Sequence, residues 1–326
     1  MPTKLILDVD TGTDDAVALM LAALHPDLDL VAATTVNGNV PVELCTENSL
    51  RVFDYIGTNI PVYEGSTRPM VRTDFPVPRS AQAEDHIHGD YLELPPARSK
   101  KQSKRAVEFL VDTFMSPAGT DIVLVPTGPL TNIAMAVTLE PRIVARIPRM
   151  IIMGGGHDIG NQSPSTEFNI WADPEAARVV FNSGVEHVTL VPLDATHKAL
   201  VTLDDCRRFR ALGTPAGDAT ASFAERRIEG YHAAKRMVPA NAAPVHDALC
   251  VAAIVEPSVI TTYPFHVDVE TSGELTTGRT VIDTHRRSGK EPNMVVAMDA
   301  DADKFVRLML DVFARKQPDK AVTADS

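Results

Sequence analysis

A chain of 326 residues with 44% hydrophobic side chains has ample apolar material for a core, and its length matches about two average domains or one large α/β unit. A formal net charge of -12 with no basic stripe speaks against a nucleic-acid partner, and no uninterrupted apolar run reaches the ~20 residues that span a membrane. The first residues enter a strand with no basic-then-apolar signal segment, and Cys45, Cys206 and Cys250 are odd in number and far apart, so a soluble cytoplasmic protein is expected.

Leu5-Ile6-Leu7 is an unbroken apolar run, the pattern of a strand buried on both faces. Gly12 supplies a turn, Thr13 or Asp14 is placed to cap a helix, and the run 16–24 is apolar almost all round, so that helix is buried too. Residues 28–36 read as a second buried strand ending at Asn37-Gly38-Asn39; 41–56 have helical periodicity and 61–63 form a short third strand. Between 67 and 99 the pattern breaks down at Pro69, Pro76, Pro78, Pro95 and Pro96, around the segment Asp85-His86-Ile87-His88-Gly89-Asp90. Loops of that length are uncommon unless functional or disordered.

A helix resumes at 103–114, and a strand at 121–126 meets Thr127-Gly128-Pro129-Leu130-Thr131-Asn132, which opens a helix through Leu139. The strand 149–153 runs into Gly154-Gly155-Gly156, and a loop follows to Trp171. Asp173-Pro174-Glu175 then starts a helix to Asn182, with proline in its favoured first turn. A strand at 187–192 and helices at 202–212 and 218–236 come next, the last of them polar on one side. A buried helix at 245–255 opens on His246-Asp247. Strands at 264–270, 279–284 and 293–298, a closing helix at 300–316 and a flexible tail at 317–326 complete the chain. The alternation implies a mainly parallel central sheet with helices on both faces, open and Rossmann-like, plus a few antiparallel strands near the C-terminus. Residues 1–316 are expected to form one domain, with ligands outside the carboxyl ends of the strands.

Four carboxylates, Asp8, Asp10, Asp14 and Asp15, crowd the first strand-to-helix corner. Like charges this close raise each other's pKa, and a helix N-terminus stabilises each anion by only about 0.3–1 kcal/mol. The corner is either a solvated turn with capping aspartates or a site for a hard divalent cation such as Ca²⁺ or Mg²⁺; only the second accounts for four charges. Thr127-Gly128-Pro129 either makes a simple turn or leaves a backbone carbonyl pointing into a cleft. His246-Asp247 is either a helix cap or part of a site. Asn161 and Glu167-Phe168-Asn169 combine amides, a carboxylate and a ring, which suits a sugar's hydroxyls and its apolar face. The triple glycine lacks the Gly-x-Gly-x-x-Gly spacing, and neither a Walker loop nor a Gly-x-Ser-x-Gly elbow is present.

Taken together, these motifs resemble those of the nucleoside hydrolases, the inosine-uridine preferring nucleoside N-ribohydrolase family. The resemblance rests on Asp8-Val9-Asp10-Thr11-Gly12-Thr13-Asp14-Asp15-Ala16, Gly38-Asn39, Val125-Pro126-Thr127-Gly128-Pro129-Leu130-Thr131-Asn132 and Met153-Gly154-Gly155-Gly156. Glu167-Phe168-Asn169 with Asp173-Pro174-Glu175, and Ala243-Pro244-Val245-His246-Asp247, follow in the family's order. It implies hydrolysis of the N-glycosidic bond of a ribonucleoside to free base and ribose. Asp10, Asp15, Asp247 and the carbonyl of Thr127 would hold one Ca²⁺, and Asp10 would take the proton from a water on that ion. Asp14 and Asn39 would bind the ribose diol, and Asn161, Glu167 and Asn169 the remaining hydroxyls, with Met153 and Phe168 packing near the sugar. His246 would sit by the base as proton donor to a purine leaving group. His88 and Tyr231 are candidate base contacts, and His197 is read as structural. The resemblance also implies a small-molecule nucleoside partner and a homo-oligomer, dimer or tetramer.

The chain departs from the family pattern at Thr11 and Ala248, where proline is usual, and at Asp90-Tyr91-Leu92-Glu93, where a glycine-rich segment commonly follows. Two rival readings remain. A haloacid-dehalogenase-like phosphatase would use Asp8 as nucleophile and Asp10 as acid/base with Mg²⁺, but the later Gly-Asp-x-x-x-Asp run is missing, and Asp247 and Glu167 have no role in it. A non-catalytic nucleoside- or calcium-binding protein is the other.

Overall fold

Alternate side chains of the first strand, β1 (Thr3–Val9), serve two different cores: Leu5, Leu7 and Val9 join one apolar cluster and Ile6 the other. This period of two organises the computed structural model, which describes residues 1–73, 87–234 and 238–315. β1 pairs in parallel with β2 (Leu28–Thr35) on one side and β4 (Ile122–Pro126) on the other; β3 (Val62–Glu64) extends the β2 side. The eight-stranded sheet runs β3-β2-β1-β4-β5-β6-β12-β9, with β5 (Arg149–Met153), β6 (Val188–Val191) and β12 (Met294–Ala300) parallel and β9 (Ile260–Phe265) antiparallel at the edge. Chain direction across the sheet reverses between β1 and β4, the switch point where α/β folds open a ligand crevice.

Helices cover both faces. α1 (Thr13–Leu24) is on one, with α2 (Val42–Tyr55); α3 (Ala106–Met115), α4 (Thr131–Leu139) and α6 (Pro174–Phe181) cover the other, with Leu110, Ile133 and Val180 in the second cluster. Between α4 and α6 the expected loop contains a short helix, α5 (Phe168–Ala172). Its signal was not apolar periodicity but a cap: the Glu167 carboxylate accepts from the Asn169 and Ile170 N–H groups. After β6 come two further elements absent from the periodicity reading, a single turn α7 (Leu193–Thr196) and β7 (Leu200–Thr202), which pairs with β8 (Ala242–Pro244). Elements this short give no usable period.

α8 (Leu203–Arg210) is capped by Thr202, and α9 (Pro215–Ala233) and α10 (His246–Val255) pack on the α1 side. β10 (Val267–Val269) pairs antiparallel with β11 (Thr280–Ile282), and α11 (Ala302–Phe313) starts at the Asp301 cap. The expected sheet, helix faces and C-terminal antiparallel strands are therefore found. Asp85 and His86, the end of the 218–236 helix at Arg236, the end of the closing helix at Lys316 and the 317–326 tail lie outside the described residues. Two local expectations fail. The single strand read at 264–270 is broken at His266, β9 ending before it in the large sheet and β10 starting after it in a separate one, and neither Thr13 nor Asp14 caps α1. The cap is Gly12, whose N–H donates back to Asp15 Oδ2 at 2.9 Å, because the chain enters the helix already extended.

Candidate active site

The carboxyl ends of β1, β4 and β5 open into a cavity of about 400 Å³. Asp10, Asn39, Thr127 and Met153 reach it from strand ends, and Asp14, Arg227, Tyr231, His246 and Asp247 from helices. Asn161, Glu167, Phe168 and Asn169 reach it from 161–169 and His88 from 87–90. Asp15 lies just behind the wall, fully buried.

Asp10 Oδ2 accepts from the backbone N–H of Asn39 at 2.7 Å, across Gly38. A Cβ on Gly38 would stand 2.0 Å from Asp10 Oδ2, so only glycine lets the two loops close on this carboxylate. Asp15 Oδ1 accepts from Thr127 Oγ1 at 3.0 Å. Asp247, at the mouth of α10, brings a carboxyl oxygen within 4.8 Å of oxygens from Asp14 and Asp15, and these three are the group spaced to hold a metal ion among the described residues. Asp10 adjoins them without belonging to that trio. Burial, then the neighbouring carboxylates, raises Asp10 and Asp247 well above the usual range; burial and Asp14 bring Asp15 to about 7. Buried hard oxygens that resist ionising together fit a hard divalent cation, which would cancel their repulsion.

Asp8, the fourth member of the expected corner, is elsewhere. It is fully buried on the Ile6 side, accepts from Asn132 Nδ2 at 2.8 Å and Thr34 Oγ1 at 2.5 Å, and does not line the cavity. Its place as a neighbour of Asp14 and Asp15 is taken by Asp247. A phosphatase using Asp8 as nucleophile has no approach to it. Asn132 also donates to the Thr35 carbonyl and accepts from Ser66, clamping three strand ends beneath the site.

The sugar-suited cluster assembles as a unit. Glu167 accepts from Gly155 N–H at 2.8 Å as well as capping α5, and burial still brings its carboxyl to about 7. Gly155 has φ +75°, and a Cβ there would meet Thr280 Oγ1 at 2.4 Å, so this middle position of the triple glycine favours glycine. Asn169 Nδ2 donates to the Thr127 carbonyl at 2.7 Å and to the Met153 carbonyl at 3.3 Å. The Thr127 carbonyl expected to be free thus already serves one donor, with its second lone pair remaining. Asn161 Oδ1 accepts from Phe168 N–H at 2.9 Å, and the Phe168 ring lies 6.1 Å from Trp171.

At the other end stand the aromatic groups. His246 is 5% exposed; Thr196 Oγ1 lies 2.7 Å from its Nδ1 and the Tyr231 hydroxyl 2.8 Å from its Nε2. His197 adjoins it, with ring centroids 5.6 Å apart. His88 Nδ1 accepts from Thr13 N–H at 3.2 Å and lies 3.9 Å from Asp14 Oδ1. Every expected site residue except Asp15 lines this one cavity, and Asp15 touches it through Thr127.

Arg227 was missed. The 218–236 segment read as a helix with a solvated polar side, yet Arg227 is 2% exposed and its Nη1 lies 2.9 Å from Asp14 Oδ1. The available signal was its spacing of four from Tyr231, which puts both on one helix face.

A family model described as inosine-uridine preferring nucleoside hydrolase matches residues 5–307. The chain is 42% identical to the inosine-uridine preferring nucleoside hydrolase of Leishmania major, over 97% of this chain and 98% of that one. It is 39% identical to the pyrimidine-specific ribonucleoside hydrolase RihB of Escherichia coli O157:H7, over 93% and 94%. The solved purine-preferring ribonucleoside hydrolase from Gardnerella vaginalis superposes with a TM-score of 0.86 at 34% identity, covering 95% of this chain and 98% of that one.

Proposed function

The chain belongs to the inosine-uridine preferring nucleoside hydrolase family, and from that premise we propose how its cavity carries out the family's reaction. The enzyme hydrolyses the N-glycosidic bond of ribonucleosides, giving free base and ribose. The cation in this reading is Ca²⁺, which Asp10, Asp15, Asp247 and the Thr127 carbonyl would hold. When bound it supplies Lewis-acid polarisation of the attacking water and a grip on the ribose 2′- and 3′-hydroxyls.

The side chains do the rest. Asp14 and Asn39 orient the diol, while Asn161, Glu167 and Asn169 take the other ribose oxygens. Met153 and Phe168 pack against the sugar. The water oxygen bonds to C1′ as Asp10 accepts its proton, and the C1′–N bond breaks with its electron pair passing to the base. Positive charge develops on the sugar ring, as in O-glycoside cleavage, and the fixed carboxylates and amide oxygens around it lower that barrier. His246 delivers a proton to a purine leaving group, with Tyr231 on Nε2 and Thr196 on Nδ1 fixing the ring. His88 and Tyr231 border the base.

The observation that carries this reading is the meeting of Asp247, from the far end of the chain, with Asp14 and Asp15 of the first helix at metal-binding spacing. The names of the relatives span purine-preferring, pyrimidine-specific and inosine-uridine preferring enzymes, and what they share is a nucleoside substrate. Two further proposals accompany it: a cytoplasmic location, supported by three buried free cysteines, and a homo-oligomeric state.

The test is ribose release from inosine and uridine. Asp10→Ala should lower it by about 10³-fold or more, and a chelator should lower activity and melting temperature together, because a ligand bound only by the folded chain stabilises it. A melting temperature indifferent to chelator overturns the cation assignment, and an Asp10→Ala enzyme with near-normal turnover overturns the base.

A further inference from the structure

Asp14 poses a problem for the division of roles above. It lies within metal-binding spacing of Asp15 and Asp247, yet the proposed mechanism needs it on the sugar. What separates the two uses is a fixed cation of the protein's own. The Arg227 guanidinium is buried beneath the cavity, with Nη1 2.9 Å from Asp14 Oδ1 and 3.2 Å from Thr13 Oγ1. Nε donates to the Pro244 carbonyl at 2.8 Å. One side chain of α9 therefore ties the first turn of α1 to the strand that leads into His246-Asp247. Those two segments carry carboxylates that would otherwise push apart.

The other groups facing Asp14 do not replace it. His88 is 3.9 Å away, but its Nδ1 accepts a backbone N–H and so carries no proton on that side. Among the described residues, Arg227 is the permanent positive charge in contact with Asp14, and its field also reaches Asp247 and Asp15. A guanidinium suits this position because it stays charged when buried and grips several partners in fixed directions, which an ammonium cannot.

We propose that Arg227 is a positioning residue that reserves Asp14 for the ribose diol and holds the acidic cluster together before a cation arrives. The proposal rests on the assignment of a cation to Asp10, Asp15 and Asp247. Removing one partner of a buried pair exposes the other to uncompensated burial, so the loss should be largest when no metal shares the charge.

The experiment compares the full-length wild type, Arg227→Met and Arg227→Lys. Melting temperature is measured in chelator and in saturating calcium chloride, and KM and kcat are measured for inosine. Arg227→Met should melt below wild type in both conditions, with the wider gap in chelator. Its KM should rise about tenfold with a smaller change in kcat, the size expected for loss of one charge-assisted contact to a substrate-binding group. Arg227→Lys restores charge but not the three-way grip, so it should recover most of the melting gap in chelator while KM stays raised. If Arg227→Met folds only when calcium is present, the proposal is supported in its strongest form.

Equal melting gaps in chelator and calcium would make Arg227 ordinary packing and overturn the proposal, as would an unchanged KM in both variants. A wild type whose melting ignores calcium and chelator alike has a different meaning. It removes the cation assignment, and Arg227's role with it. Should Arg227→Met fail to fold under both conditions, Arg227→Lys decides: wild-type KM in that variant overturns the positioning role, and raised KM with recovered stability upholds it.

Discussion

The two ends of the cavity are built by different means. At the end proposed to take the sugar, Asp10, Glu167 and Asn169 sit at strand ends or in the first turn of a helix, and each is held by backbone groups: Asn39 N–H on Asp10, Gly155 N–H on Glu167, the Thr127 carbonyl on Asn169. At the end proposed to take the base, His246 and Tyr231 hold each other through side chains, and His88 rests on the single backbone N–H of Thr13. Backbone anchoring fixes an atom to the sheet, whereas side-chain anchoring moves with rotamers and loops. Ribose is common to every ribonucleoside and the base is what varies among them, so rigidity belongs at one end and adaptability at the other.

Four substitutions test that contrast. The largest effect is expected from the rigid end. Glu167→Gln should reduce kcat by between about 10² and 10³-fold on every nucleoside alike, because the interaction lost is with the sugar. The same variant has a pH signature. Burial, acting against three backbone hydrogen bonds, holds the folded Glu167 carboxyl at about 7 rather than the ordinary 4.5. Between those values the folded chain keeps a proton that the unfolded chain has lost, so stability is fullest on the acid side and falls as pH rises through that window. Glu167→Gln should flatten the corresponding stretch of a melting-temperature profile recorded between pH 4.5 and 8. A profile of unchanged slope would show that the carboxyl is already ionised at acid pH.

At the adaptable end, His246→Ala should cost inosine roughly 10²-fold in kcat and uridine clearly less, since a purine gains most from protonation as it leaves. Tyr231→Phe should reproduce part of the inosine loss through the freed Nε2. Equal losses on both substrates would end the proton-donor role and leave His246 a packing residue. The smallest effect is expected for His88→Ala: a few-fold change in KM that differs between bases, with kcat nearly intact. Uniform changes across a nucleoside panel would instead place His88 at the sugar.

Much of this was legible in the chain before any coordinates. Leu5-Ile6-Leu7, 149–153 and the Thr131–Leu139 helix were read at or near their observed bounds because long apolar runs and turn residues act locally. α5, α7, β7 and β8 escaped notice because each contains less than two periods of its own pattern, helical or extended. α5 is also specified by a cap, the Glu167 carboxylate, rather than by its own apolar residues. Of the clustered aspartates, Asp10 was assigned a role and Asp8 none, but the sequence held no sign of where Asp8 goes instead. Their difference arises from Asn132 and Thr34, which claim Asp8 from neighbouring elements.

By itself the sequence determined the layers, the strand ends where chemistry could occur and most of the polar residues that line the cavity, because burial patterns and turns are written in short stretches. Only the tertiary structure decided which carboxylates meet, that Asp247 rather than Asp8 joins Asp14 and Asp15, and that an arginine from a helix read as half-solvated is buried among them. The physical reason is that electrostatic partners are chosen by distance in space, and distance between residues far apart in the chain is set by how the sheet and its helices pack.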